Sequence, residues 1–136
     1  KCSASIMPSG TVLFSSRAPI GYIAVAANSV TTNQGFKSII PNKDIGTAFI
    51  YYFLKNNMTL IESMSSGSTF KELSASAMKM IPAFIPDNND LLKFQDFCMP
   101  LFEQQQSLEL ENIHLSQLRD TLLPRLMSGE IDVSYI

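Results

Sequence analysis

The first forty residues alternate short apolar runs with turn residues, a pattern typical of β-strands. Two runs rich in β-formers, residues 11–16 and 21–26, are joined by a segment that contains Pro19. A third run, residues 35–40, ends at Pro41. Because proline fixes φ and glycine frees it, these residues mark the points where the chain turns. The pattern therefore predicts three short strands.

From residue 44 the apolar residues recur at three- and four-residue spacing. Ile45, Phe49, Tyr52 and Phe53 gather on one face of a helix that begins near residue 44 or 47 and ends at residue 56. A second helical stretch covers residues 59–64 and stops before a Ser-Ser-Gly sequence. We predict two consecutive helices after the strands.

The segment between the second helix and residue 86 predicts two further elements. Thr69 and Glu72 have the spacing of a capping box, which favours a short helix there. Residues 80–86 are apolar and include Pro82 and Pro86, which cannot donate to a central ladder. We predict an edge strand at residues 80–86.

A long helical arm is predicted after residues 87–90, which form a polar hinge and a good helix N-cap. Leucines and one phenylalanine recur there at strict seven-residue intervals: Phe94, Leu101, Leu108, Leu115 and Leu122. Such a stripe is typical of a helix packed along another helix. Pro100 predicts a kink or a break, and Pro124 with Gly129 predicts the end of the helix.

The second seam of the arm is mixed, because Phe97 and Leu118 are apolar whereas Gln104 and Glu111 are polar. This composition favours an unlike helix as partner over a tight parallel homodimer. An arm folded back on its own head is the alternative, but the polar stretches at 104–106 and 109–112 speak against it.

The predicted fold class is therefore α+β: a small mixed α/β head followed by one long coiled-coil-type α-helix. We place the head at residues 1–88 and the helix with its tail at residues 89–136. Because the chain starts directly upstream of a strand, we expect the head to be incomplete at its N-terminus.

The charge is distributed unevenly between these two parts. The whole chain has a net charge of −2, but residues 1–88 hold seven basic and four acidic residues, and residues 89–136 hold three and eight. Opposite signs indicate different partners for the two parts. Cys2 and Cys98 lack metal-ligand spacing and fit a reducing cytoplasm, and no apolar run approaches the ~20 residues of a membrane span.

A search for catalytic motifs excludes the common enzyme classes. No Asp or Glu precedes a Lys by two positions, as metal-dependent nucleases require, and neither an Asn/Asp-Pro-Pro-aromatic loop nor a phosphate-binding glycine loop occurs. His114 is the only histidine, and its neighbours indicate a solvated surface residue. The sequence thus predicts a non-catalytic module that binds no metal or cofactor itself.

Polar side chains collect at the ends of the predicted strands instead. They are Ser15, Ser16, Arg17, Tyr22, Thr31, Thr32, Asn33, Gln34 and Lys37. Arg pairs with guanine and Asn or Gln with adenine, while Ser, Thr and Lys contact phosphates. Residues 33–35 equally fit a turn whose side chains bond the local backbone.

Four segments in order, residues 13–21, 32–36, 67–72 and 118–131, resemble the target-recognition domain and tail of the specificity subunit of type I restriction-modification enzymes. The resemblance implies that this chain is the C-terminal recognition domain with its spacer helix, reading one half of a bipartite site in double-stranded DNA. It further implies methyltransferase (modification) subunits that bind S-adenosylmethionine, and a restriction/translocase subunit that uses ATP and Mg. An isolated copy of the helix can pair with a second copy.

Strand-end chemistry, the seven-residue stripe and the resemblance together predict roles for two groups of residues. The DNA-binding group is Ser15, Ser16, Arg17, Tyr22, Thr32, Asn33, Gln34, Lys37, Ser68, Thr69 and Lys71. The helix-pairing group is Phe94, Leu101, Leu108, Leu115 and Leu122. Motifs shared across a family shape loops or hold phosphate, so we expect bases to be read by Tyr22, Asn28, Ser29 and Lys37. The alternative function is a protein–protein scaffold that acts through its helical arm.

Overall fold

The computed structural model describes residues 5–67 and 71–131. The chain divides into two compact units, Lys1–Met99 and Pro100–Ile136. The first unit holds the predicted head together with the first turns of the long helix. Each unit is described by itself below.

The sheet is a single antiparallel pair in the described residues. Strand β1 (Val12–Phe14) pairs with β2 (Ile23–Val25), with Val12 opposite Val25. The predicted third strand forms only isolated bridges, Val12 with Ile39 and Ser15 with Phe36. It still runs beside β1, because the Val12 and Ile39 amides each donate to the other residue's carbonyl, at 2.9 and 2.8 Å.

Two helices cover this sheet, as predicted. Helix α1 (Gly46–Asn56) and helix α2 (Met58–Met64) follow each other directly. The buried core that they form with β1 consists of Val12, Phe14, Leu54, Ile61, Leu73 and Ile81. Each such side chain stabilises the fold by about 1.5–3 kcal/mol through removal from water.

The segment after α2 differs from the prediction. Thr69 lies outside the described residues, and Glu72 forms extended bridges to Arg17 and Ser66 instead of entering a helix. The short helix is α3 (Ala75–Lys79), which Ser74 caps by accepting from the Ala77 amide at 3.0 Å. The long-range pairing of Glu72 therefore prevails over the local capping pattern.

The predicted edge strand at residues 80–86 is wrong. Residues 82–87 adopt no regular structure. Pro82 and Pro86 lack the N–H groups that a ladder requires, and no neighbouring strand supplies a partner in the described part of the chain.

The last helix, α4, is Asn88–Met127, 40 residues long. Asp87 caps it as predicted, because its Oδ1 accepts from the Asp90 amide at 2.9 Å. The helix continues through Pro100, so a break there is wrong, and it ends at Met127, between Pro124 and Gly129, as predicted. A proline removes one helical hydrogen bond, which the flanking turns here tolerate. Gly129, with φ of 74°, follows the true end.

The start of α4 belongs to the head unit. Leu91 and Cys98 are buried there, and the Phe94 ring lies edge-on to Tyr52 of α1 at 5.8 Å. The Gln95 side chain accepts from the Ala48 amide at 3.1 Å, so α4 supplies the cap that α1 lacks at its own N-terminus. Within residues 5–67 and 71–131, no helix is both long and apolar enough to cross a membrane.

Candidate DNA interface

A loop after β1 presents two of the predicted DNA contacts. Ser15 closes this loop: its hydroxyl donates to the Pro19 carbonyl at 2.9 Å and accepts from the Tyr22 amide at 2.8 Å. Arg17 and Tyr22 lie on the exposed side, and Tyr22 is 71% exposed. The Ser15 side chain thus shapes the loop that displays its neighbours.

Gly21 allows the loop to approach α2 closely. Its φ is 98°, in the left-handed region that favours glycine. A Cβ at this position would collide with the Met58 side chain. The loop therefore lies directly over α2.

A second loop, residues 33–37, is the turn that the sequence left open as an alternative. Asn33 Oδ1 accepts from the Gly35 amide at 2.9 Å, which is the local bond expected of such a turn. This bond uses only the side-chain oxygen of Asn33, and not the two N–H donors of its side-chain amide. Lys37 Nζ donates to the Gln34 carbonyl at 3.2 Å, so the lysine end is held beside the same turn.

Ser16 does not lie on the surface. Its side chain is 0% exposed, and its hydroxyl donates to the Gly35 carbonyl at 3.0 Å. The Ser16 amide donates to the same carbonyl at 2.8 Å, and the Ser16 carbonyl accepts from Leu73 at 2.9 Å. Ser16 therefore joins three segments of the head, and a direct DNA contact by its side chain does not fit this arrangement.

Three charged side chains meet where these loops adjoin. Arg17 Nε lies 3.3 Å from one carboxylate oxygen of Glu72, and Lys37 Nζ lies 3.9 Å from the other. Lys71 is exposed and precedes Glu72 in sequence. Arg17, Lys37 and the Glu72 carboxylate between them form a small patch, hereafter the basic patch, which Lys71 flanks in the sequence. Sequence reasoning assigned Glu72 to a helix cap and missed it here.

Other predicted contacts lie elsewhere. Asn28 and Ser29 are exposed but follow β2, whereas Tyr22 precedes it. Asn28 lies in a bend three residues after β2 ends, so the strand separates it from Tyr22. Thr32 is half-buried, with its hydroxyl 3.3 Å from that of Ser38. Ser68 and Thr69 lie outside the described residues.

The seven-residue stripe of α4 is largely uncovered. Leu101, Leu108 and Leu115 are 49%, 52% and 54% exposed, and Leu122 is partly covered. Phe94 differs from these leucines because its ring already contacts Tyr52. In the second unit the stripe remains available for a partner helix.

The described residues contain no group of three or more His, Cys, Asp or Glu side chains that could hold a metal ion. Burial raises the pKa of the Cys98 thiol, which therefore stays protonated and packs as a small apolar group. His114 is exposed on α4, as its sequence neighbours predicted.

Comparison with known proteins agrees with these features. The model of the type I restriction modification DNA specificity domain matches residues 1–110. The chain is 42% identical over 95 residues to the type I restriction enzyme MjaIX specificity subunit of Methanocaldococcus jannaschii, covering 68% of this chain and 22% of that protein. It is 33% identical over 132 residues to the type I restriction enzyme HindI specificity subunit of Haemophilus influenzae, covering 95% of this chain and 29% of that protein.

The chain thus spans less than a third of the length of either relative. Both relatives are named specificity subunits, in agreement with the prediction of a non-catalytic recognition module. The family match covers all of the loops that form the basic patch. This chain belongs to the family of type I restriction modification DNA specificity domains.

Proposed function

We propose that this chain recognises double-stranded DNA as one half of a type I restriction-modification specificity subunit. The observation that carries the proposal is the basic patch, in which two separate loops of a family-matched head bring Arg17 and Lys37 to one carboxylate. Arginine and lysine bind phosphate, and arginine also reads guanine in the major groove.

The contacts within this proposal follow from charge and position: Arg17 and Lys71 are exposed, and Lys37, 20% exposed, shares the Glu72 carboxylate with Arg17. Arg17, Lys37 and Lys71 neutralise phosphates, and Tyr22, which is 71% exposed on the adjoining loop, contacts a base or sugar. Gln34 is exposed on the second loop and can donate to an adenine edge. Ser15, Ser16 and Asn33 act through the loops that they hold together.

The partners of the whole assembly follow from the family. The head reads one half of a bipartite target, and the stripe of α4 pairs with the spacer helix of the other half. Methyltransferase subunits that bind S-adenosylmethionine dock on this scaffold, and a restriction/translocase subunit supplies ATP- and Mg-dependent cleavage. The exposed leucines at 101, 108 and 115 support the helix-pairing part of the proposal. A cytoplasmic location stays a prediction.

The test is DNA affinity as a function of salt in the assembled complex, with a 30-base-pair duplex of mixed sequence as probe. Arg17→Ala and Lys71→Ala each remove one phosphate contact, so each should weaken binding and reduce the salt slope by about 0.9. Lys79→Ala is the matched control, because Lys79 is an exposed lysine at the end of α3. Unchanged affinity and slope in both patch variants would contradict the proposal.

A further inference from the structure

Arg17 and Lys37 share one acidic partner. Glu72 places one carboxylate oxygen 3.3 Å from Arg17 Nε and the other 3.9 Å from Lys37 Nζ. The two cations come from different loops, and the carboxylate lies between them. An anion in this position occupies the electrostatic site that a DNA phosphate would take.

Backbone pairing fixes the position of Glu72. Its amide donates to the Ser66 carbonyl at 2.9 Å, and its carbonyl accepts from the Ser66 amide at 3.1 Å. An antiparallel bridge joins it to Arg17 on the other side, and the next residue, Leu73, is buried in the core. The backbone of Glu72 is therefore anchored at a point from which its carboxylate reaches both cations.

The cations are anchored as well. The Lys37 amide donates to the Phe14 carbonyl at 2.9 Å, and its side chain is only 20% exposed. The Arg17 side chain passes Gly35, where a Cβ would lie 3.8 Å from Arg17 Cδ. The three charged groups therefore lie close together before DNA binds.

Stabilisation of the fold does not explain this arrangement. The Arg17 and Glu72 side chains are 51% and 42% exposed, so their attraction is screened by water and contributes little to folding. The bridges to Ser66 and Arg17 use backbone atoms alone and would persist without the carboxylate. The main effect of the Glu72 charge therefore falls on what approaches Arg17 and Lys37.

We propose that Glu72 restrains sequence-independent DNA binding by holding Arg17 and Lys37 in ion pairs that a phosphate must displace. The inference rests on the proposed function, since it assigns a role within the same basic patch. Sequence-independent affinity comes almost entirely from phosphate neutralisation, so one carboxylate between two phosphate-binding cations weakens it directly. Weak binding to DNA of arbitrary sequence allows the protein to dissociate from non-target sites and reach its target.

If Glu72 restrains DNA binding, removal of its charge should raise the affinity for DNA. Glu72→Gln keeps the size and backbone pairing of the residue but frees both cations. Affinity of the assembled complex for the 30-base-pair mixed-sequence duplex should rise by about threefold to tenfold. The salt slope should become steeper by about 0.9 for each cation that gains a phosphate.

Two controls separate this role from simpler effects. Glu62→Gln changes the net charge by the same amount at an exposed position on α2 and should leave affinity unchanged. Glu72→Gln in an Arg17→Gln, Lys37→Gln background should give no further gain, because the cations through which Glu72 acts are absent. Circular dichroism of each variant establishes that the fold persists.

The outcomes are distinguishable. Weaker or unchanged binding by Glu72→Gln, with wild-type binding that still depends on Arg17, overturns this inference and leaves the proposed function standing. A loss of affinity would make Glu72 a base-reading residue that accepts from cytosine. An equal gain from Glu62→Gln would also overturn it, as a bulk charge effect. No binding by wild type or by any variant would overturn both proposals.

Discussion

Ser16→Ala tests whether a polar residue of the recognition loops serves the fold or the DNA. The substitution removes the hydrogen bond from the Ser16 hydroxyl to the Gly35 carbonyl, 3.0 Å long and fully enclosed. The acceptor is not left unsatisfied, because the Ser16 amide still donates to it at 2.8 Å. The loss is then that of one ordinary hydrogen bond, about 1 kcal/mol.

Thermal stability and DNA affinity together distinguish a role of Ser16 in the fold from a role in DNA binding. The midpoint temperature of thermal unfolding should fall by about 3–5 °C. Affinity and salt slope for the mixed-sequence duplex should not change below the unfolding transition, because the enclosed hydroxyl contacts no phosphate. Ser63→Ala, which removes an exposed hydroxyl on α2, is the matched control and should change neither quantity. A lower salt slope for Ser16→Ala at unaltered thermal stability would refute this reasoning.

Three further substitutions test the fold and the arm. Gly46→Ala should lower the free energy of unfolding by about 1–3 kcal/mol in a denaturant titration, because Gly46 has a φ of 77° and a Cβ there would collide with Gln95. Asp87→Ala removes the cap of α4 and should cost about 1 kcal/mol in the same titration. Leu108→Asp with Leu115→Asp should abolish self-association of the isolated chain in analytical ultracentrifugation. In the assembled complex it should loosen assembly while DNA contacts of the head survive, whereas a pure scaffold would lose all function.

The parts of the fold that sequence predicted are those with a strong local signal. Runs of β-forming residues predicted β1 and β2, three- and four-residue apolar spacing predicted α1, and the polar hinge predicted the cap of α4 at Asp87. Each of these patterns depends on residues close together in the chain. The prediction of these elements therefore did not depend on contacts between residues far apart in the sequence.

The errors arose where a distant contact decided the conformation. Glu72 has capping-box spacing from Thr69, but in the structure it pairs with Arg17, 55 positions earlier in the sequence. The end of α4 shows the opposite case, because local residues determine it. The helix ends at Met127, between Pro124 and Gly129, as predicted.

The DNA-binding role of the candidate site residues stays a prediction, and residue type alone does not separate DNA contacts from structural residues, because one residue chemistry serves both purposes. Hydroxyl and amide side chains bond phosphates and bases, but they also bond backbone amides in loops. Alternation along β1 separates the two uses: Val12 and Phe14 point into the core, so Ser16 continues the buried face. Arg17, one position on, belongs to the outer face, where its charge requires water or a partner. The alternation of side chains along the strand, applied before residue chemistry, would thus have assigned Ser16 to the core and Arg17 to the exposed face.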